Sequence, residues 1–186
     1  MGAVKITTTP LNGLVLIETD ESRDDRGRFS RVFCDTDFAV LRQGIRIAQA
    51  NHSVTTRRGT IRGMHYQRHP MAEAKLIRCL RGRVLDVAVD IRPQSPTFLK
   101  WHGVELSAES RTQVFIPEGF AHGFQALEDN TELLYLHTCP WSPGHEGRLR
   151  HDDPRLGIRW PLPLTGISDA DASAPLVGDD FAGVQA

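Results

Sequence analysis

RVLDVAVDI, residues 83–91, alternates with a period of two. Leu85, Val87, Val89 and Ile91 fall on one face, and Val84, Asp86, Ala88 and Asp90 fall on the other. That is the pattern of a half-buried β-strand. Working outward, similar β-rich runs cover 14–18, 29–33, 60–66, 75–80, 101–106, 112–116 and 132–138. Turn signals separate many of them, at Pro10 to Gly13, Arg81-Gly82, Pro93 to Pro96, Pro117 to Gly119 and Glu128 to Asn130. One short helix is predicted over Asp35 to Gln43, with Asp35 as N-cap and Gly44 after its end. Many short strands at turn-punctuated spacing predict an all-β sandwich or jelly-roll barrel with few short helices. No strands alternate with long helices, which argues against a dinucleotide-binding α/β fold.

The 186 residues suit one domain, with a core over about 14–176 and a tail over 177–186 that is expected to fray. Lys+Arg is 22 against 23 Asp+Glu, a balance that argues against binding to a nucleic-acid polymer or a membrane surface. The basic residues comprise 19 Arg and only three Lys (Lys5, Lys75 and Lys100), so a lysine near a functional site calls for a reason. The longest stretch without Asp, Glu, Lys or Arg is 13 residues, Leu133 to His145, and contains two prolines. A membrane helix needs about 20 apolar residues. Residues 1–13 lack the apolar core and cleavage site of a signal peptide. Cys34, Cys79 and Cys139 form no CxxC pair and no disulfide framework. These features predict a cytoplasmic protein with reduced thiols.

Two constellations carry possible chemistry. In RGMHYQ (62–67), alternation puts Gly63, His65 and Gln67 on one face, and Lys75 follows ten residues after His65. In IPEGFAHGF (116–124), a Pro-x-Gly turn leads to His122 on the next strand. Together they resemble the two halves of the cupin signature. In metal-binding cupins, two His and a Glu of the first half join one His of the second on a metal ion. Here Gln67 stands where the second His belongs, and Glu73 comes three to four residues too late for the Glu. His65 and His122 are then two of four expected ligands, and a further ligand would have to come from His52 or His69. A cupin without metal or other cofactor is therefore expected.

Histidine is the natural general base near neutral pH. The run TELLYLHT (131–138) puts Leu133, Tyr135 and His137 on one face, where a tyrosine beside histidines can act as an acid. Tyr135 could equally be a core tyrosine with a bonded hydroxyl.

At this point the chain resembles a specific family, the dTDP-4-dehydrorhamnose 3,5-epimerases. The resemblance rests on DDRGRFSRVF (24–33), QANHS (49–53), IRGMHYQ (61–67), residues 74–98 and 101–124, LLYLHT (133–138), DDPRLGIRWP (152–161) and SDADASAPL (168–176). It implies a cupin-type jelly roll that inverts carbons next to the ketone of a nucleotide-linked 4-keto-6-deoxy sugar. It implies His65 as base, Tyr135 as acid, Asp171 as the partner of His65, and Lys75 opposite the charge that develops on O4. Substrate contacts are implied for Arg26, Gln49, Asn51, Arg62, His122 and Glu146, and a homodimer with strand exchange is implied as well.

The chain departs from the family at Arg31, at Ala50 within Gln49-Ala50-Asn51, at Cys139-Pro140-Trp141 and at Ala170. Trp141 could supply the surface that stacks on the nucleotide base. The proton-transfer set is thus complete while the nucleotide-contacting set is altered. That leaves open a dTDP, CDP, GDP or UDP substrate and inversion at one carbon or two. A metal-dependent cupin and a non-catalytic sugar-binding cupin remain the rivals.

Overall fold

The computed structural model describes residues 4–185, so residues 1–3 and 186 of the expected domain lie outside the described residues. Two antiparallel sheets stack face to face. The six-stranded sheet runs β1 (Lys5–Thr8), β2 (Val15–Glu18), β10 (Thr112–Ile116), β7 (Lys75–Arg81), β12 (Thr131–His137) and β5 (Gln49–Thr55). The five-stranded sheet runs β13 (Glu146–Arg148), β6 (Ile61–Gln67), β11 (Phe120–Ala126), β8 (Arg83–Asp90) and β9 (Trp101–Ser107). A separate hairpin pairs β3 (Glu21–Asp24) with β4 (Gly27–Ser30). Apart from the neighbours β1–β2 and β8–β9, strand order departs from chain order in both sheets, as a jelly roll requires, and the expected all-β architecture is borne out.

Between the sheets lies a core of Ile77, Cys79, Val114, Ile116 and Leu133 from one and Val84, Ala88, Leu106, Phe120 and Phe124 from the other. The strand 83–90 differs from its half-buried expectation. Its Val84, Asp86 and Ala88 face inward, while Val87, Val89 and Ile91 are also fully buried, on the outer face. The cover is the chain after β13: Leu149, Leu156, Val177 and Val184 pack on that face, with Trp160 and Phe181 beside them. Burying each such valine or isoleucine contributes about 1.5–3 kcal/mol.

The tail expected to fray is therefore docked. Val177 N–H donates to Asp153 Oδ2 at 2.5 Å and Val184 N–H donates to the Ile91 carbonyl at 2.8 Å. Three apolar anchors in the last ten residues, Val177, Phe181 and Val184, outweigh the fraying tendency of a terminus.

The predicted helix is shorter than expected. α1 spans Asp35–Phe38, with Cys34 rather than Asp35 at its N-cap and no side-chain capping bond. Asp35 instead accepts from the adjacent Thr36 N–H. Buried Phe38 anchors this turn beside Ile45 on the outer face of the six-stranded sheet. The run 29–33 also differs, because only Gly27–Ser30 pairs, as the second arm of the hairpin.

Candidate active site

A cavity of about 940 Å³ opens between the sheets, of a size ordinary for small-molecule sites. β6 brings His65 and Arg62 to it, β11 His122, β7 Lys75, β12 Tyr135 and His137, β5 Asn51 and Ser53, and β13 Glu146 and Arg148. Trp141 and Asp171 complete the wall from loops and from α2 (Asp169–Ala172). Nine of the residues named from sequence thus line one space: His65, Tyr135, Asp171, Lys75, Asn51, Arg62, His122, Glu146 and Trp141. Gln49 stands just behind, donating through Nε2 to Asn51 Oδ1 at 3.1 Å and accepting from Trp141 N–H at 2.9 Å.

Arg26 is not brought in. It sits at the exposed tip of the β3–β4 hairpin, paired with Asp24, because the hairpin forms a two-stranded sheet of its own and contributes no residue to the cavity lining.

The geometry around His65 depends on two glycines. β6 and β11 approach so closely at Gly63 that an added Cβ would lie 2.6 Å from Gly123 Cα and from the His122 carbonyl. Gly63 also takes φ of 114°, a conformation side-chain-bearing residues avoid. The ladder shifts register there, between His122 and Phe124. This kink sends the Gly63 N–H to Asp171 Oδ2 at 3.2 Å. The other oxygen, Asp171 Oδ1, lies 2.7 Å from His65 Nε2.

An ionised carboxylate can only accept, so His65 carries its proton on Nε2 and keeps the lone pair on Nδ1. Asp171 is itself held at the start of α2, where its N–H donates to the capping Ser168 hydroxyl at 3.1 Å. Burial pushes the Asp171 carboxyl up, but the hydrogen bonds from His65, Gly63 and Ser168 hold it below the usual carboxylate range. Arg148 Nε lies 3.2 Å from the same oxygen.

Beside this pair is a second one. His122 pairs directly with His65 across the β6–β11 ladder, and its Nε2 lies 2.8 Å from Asp86 Oδ2 on β8. Burial lowers the His122 pKa despite the charge and hydrogen bond of Asp86, so its ring is neutral. On the opposite sheet, the Tyr135 hydroxyl meets Ser53 Oγ at 3.2 Å. Burial raises the phenol well above its ordinary range despite that bond, so it stays protonated. Lys75 Nζ lies 3.2 Å from Glu73 Oε1 and 3.4 Å from the His65 carbonyl. Arg62 is held by Thr55 Oγ1 and the Val54 carbonyl on β5.

Among the described residues, no group of three or more His, Cys, Asp or Glu side chains is gathered as a metal site. Of the two histidines weighed as extra ligands, His52 lines the cavity on β5 but is paired with Glu132 at 3.1 Å, and His69 lines a separate hollow with Tyr66 and Arg68.

Sequence reading passed over Asp86 and Arg148 as functional residues and weighed Glu73 only as a metal ligand, setting it aside on spacing. Asp86 had a signal: it alternates with the interior-facing Val84 and Ala88, and a buried carboxylate needs a partner. Glu73 and Arg148 sit outside any regular alternation and carried none.

A family profile of dTDP-4-dehydrorhamnose 3,5-epimerases matches residues 8–179. The chain is 44% identical over 161 residues to a dTDP-4-dehydrorhamnose 3,5-epimerase of Sinorhizobium fredii, covering 86% of this chain and 83% of that one. It is similar to the crystal structure of a Legionella pneumophila dTDP-6-deoxy-D-glucose-3,5-epimerase in complex with dTDP-4-keto-L-rhamnose. The TM-score is 0.91 at 37% identity, over 98% of each chain. It is also similar to a 3'-monoepimerase from Streptomyces bikiniensis in complex with dTDP-quinovose. There the TM-score is 0.85 at 36% identity, over 90% of this chain and 85% of the other.

Proposed function

Because the chain belongs to the dTDP-4-dehydrorhamnose 3,5-epimerase family, we propose that its cavity converts dTDP-4-dehydro-6-deoxy-D-glucose to dTDP-4-dehydro-L-rhamnose. The observation that carries this reading is the opposition of two groups. His65 stands on β6 of one sheet, and Tyr135 on β12 of the other, with the cavity between them. Inverting a carbon needs a proton removed from one face and returned to the other. One wall supplies a base and the facing wall supplies an acid.

In this reaction His65 Nδ1 takes the proton alpha to the ketone, and the C–H electron pair moves into an enolate with its charge on O4. The Asp171 carboxylate holds the imidazole and stabilises the imidazolium that forms. The Lys75 ammonium faces the developing charge on O4, where a fixed cation lowers the barrier. Tyr135 gives its phenolic proton to the opposite face of the carbon. The enolate collapses back to the ketone, His65 releases its proton to solvent and Tyr135 regains one from solvent, and repeating the cycle at the second carbon completes the double inversion.

Arg62, His122, Asn51, Gln49 and Glu146 hold the sugar nucleotide, and Trp141, well exposed at the mouth, offers a stacking face for the base. Arg26 serves a second copy of the chain in a homodimer. Support comes from its distance from its own cavity, from Phe29, 78% exposed on the same hairpin, and from β5, an edge strand bonded only to β12. No helix among the described residues is long and apolar enough to cross a membrane, and a cytoplasmic enzyme is the reading this favours.

Incubation with the substrate in deuterated water tests the reaction, with mass spectrometry counting deuterons in the product. Two deuterons are expected, and none would overturn the proposal. A second reading, inversion at one carbon, is favoured by the likeness to the monoepimerase and would yield a single deuteron.

A further inference from the structure

A cluster of buried charge surrounds Lys75, and the reaction as described leaves its other two members, Glu73 and His137, unused. The side chains of Glu73, Lys75 and His137 are each a tenth exposed or less. The Glu73 carboxylate bridges the other two, with Oε1 at 3.2 Å from Lys75 Nζ and Oε2 at 2.7 Å from His137 Nδ1. Its aim is set by its neighbour. Ala74 is clamped to Thr138 at the end of β12, its N–H donating to Thr138 Oγ1 at 2.8 Å and its carbonyl accepting the Thr138 N–H at 3.0 Å. This places Glu73 beside His137. Burial pushes the Glu73 carboxyl up, but the His137 hydrogen bond and the Lys75 charge outweigh burial and keep it ionised.

The donors and acceptors form a self-consistent line. Because Glu73 accepts, His137 carries its proton on Nδ1, and Nε2 accepts from Asn51 Nδ2 at 3.3 Å. Asn51 Oδ1 in turn accepts from Gln49, and Gln49 accepts from Trp141 N–H. At the other end Lys75 reaches the carbonyl of His65. A lysine ammonium is a point charge on a flexible four-carbon stem, and it does not hold one position without partners. Among the described residues, the only carboxylate paired with Lys75 is Glu73.

We propose that Glu73 and His137 are positioning residues for the epimerisation: Glu73 holds the Lys75 ammonium where the enolate oxygen forms, and His137 holds Glu73. The inference rests on the role given to Lys75 in the proposed function. It differs from that role in making the effect of Glu73 pass wholly through Lys75.

A double-mutant cycle on the full chain tests it, with deuterium exchange and inversion followed in steady state. Glu73→Gln is expected to lower kcat roughly 10- to 100-fold, as for a misplaced catalytic group, and to move KM by about twofold or less. In the Lys75→Met background the same change is expected to have no further effect on kcat. His137→Phe is expected to lower kcat in the same direction by less, and it keeps the test alive if Lys75→Met, which strands Glu73, does not fold.

A wild-type kcat in Glu73→Gln overturns the inference. So does a Glu73→Gln effect of undiminished size when Lys75 is already Met, which is the signature of a merely structural role. Full activity in Lys75→Met sinks the role of Lys75 and the inference together. An impaired Lys75→Met beside an intact Glu73→Gln sinks the inference alone.

Discussion

Two of the histidine–carboxylate pairs, on neighbouring strands β6 and β11, stand side by side and differ in almost everything but their chemistry. His65 and Asp171 meet at 2.7 Å, and His122 and Asp86 at 2.8 Å. The His65 side chain keeps 34% of its surface exposed, whereas His122 keeps 6%. The carboxylate of the first pair comes from the C-terminal segment, 106 residues away, and that of the second from the adjacent strand β8. A buried pair between neighbouring strands is locked in place, and its ring stays neutral. An open pair leaves the free ring nitrogen of its histidine facing the cavity, as the proposed base requires. Similar bond lengths therefore support different duties, and exposure separates them.

The largest effect should come from removing the proposed base. His65→Ala is expected to lower exchange at the alpha carbon about a thousandfold. Tyr135→Phe should retain exchange while losing inversion, which product stereochemistry by NMR would read. Comparable exchange in His65→Ala and wild type would erase the distinction between the two pairs.

Next in size is the contrast between the carboxylates. Asp171→Asn should cost on the order of 100-fold in kcat with little change in melting temperature, because it disturbs the tautomer and charge partner of the base. Asp86→Leu strands the buried His122 Nε2–H and should cost about 1–3 kcal/mol of stability, measurable by urea unfolding. If Asp86→Leu leaves stability untouched and Asp171→Asn destabilises instead, the roles are reversed.

The smallest expected effect is a pH dependence. Burial depresses the His122 pKa in the folded chain below its unfolded value of about 6.5. Between those two values the unfolded chain binds the extra proton, so stability falls as pH drops below about 6.5. Thermal melts from pH 7 to 5 should show this decline, and His122→Gln should lessen it, leaving the part due to His102, which burial also shifts down. Asp171 and Glu73, whose carboxyls are also depressed, add a further loss only as pH falls below about 4. An unchanged slope in His122→Gln would remove His122 as its source.

Much of the fold was legible because a strand writes its two faces into alternate residues. TQVFI (112–116) pairs over the predicted span, and the motif strands of His65 and His122 became neighbours. The hairpin β3–β4 and the strand β5 were less legible, since ESRD and QANHSVT carry polar residues on exposed strands and show no apolar alternation. The docking of residues 177–184 was hidden for another reason. The face it covers, Val87, Val89 and Ile91, reads the same from sequence whether sheet or tail buries it.

By itself the sequence determined the all-β class, the motif strands and the chemical identity of the groups available for proton transfer. It did so because alternation and turn chemistry act over a few residues, which is the range that local spacing describes. Only the tertiary structure decided which groups meet. It joined Asp171 to His65, set Tyr135 on the facing sheet, tied Glu73 to Lys75 and His137, and left Arg26 outside its own cavity. Those outcomes depend on how two sheets stack and where the returning chain lies. No spacing along the sequence encodes a contact made across a cavity.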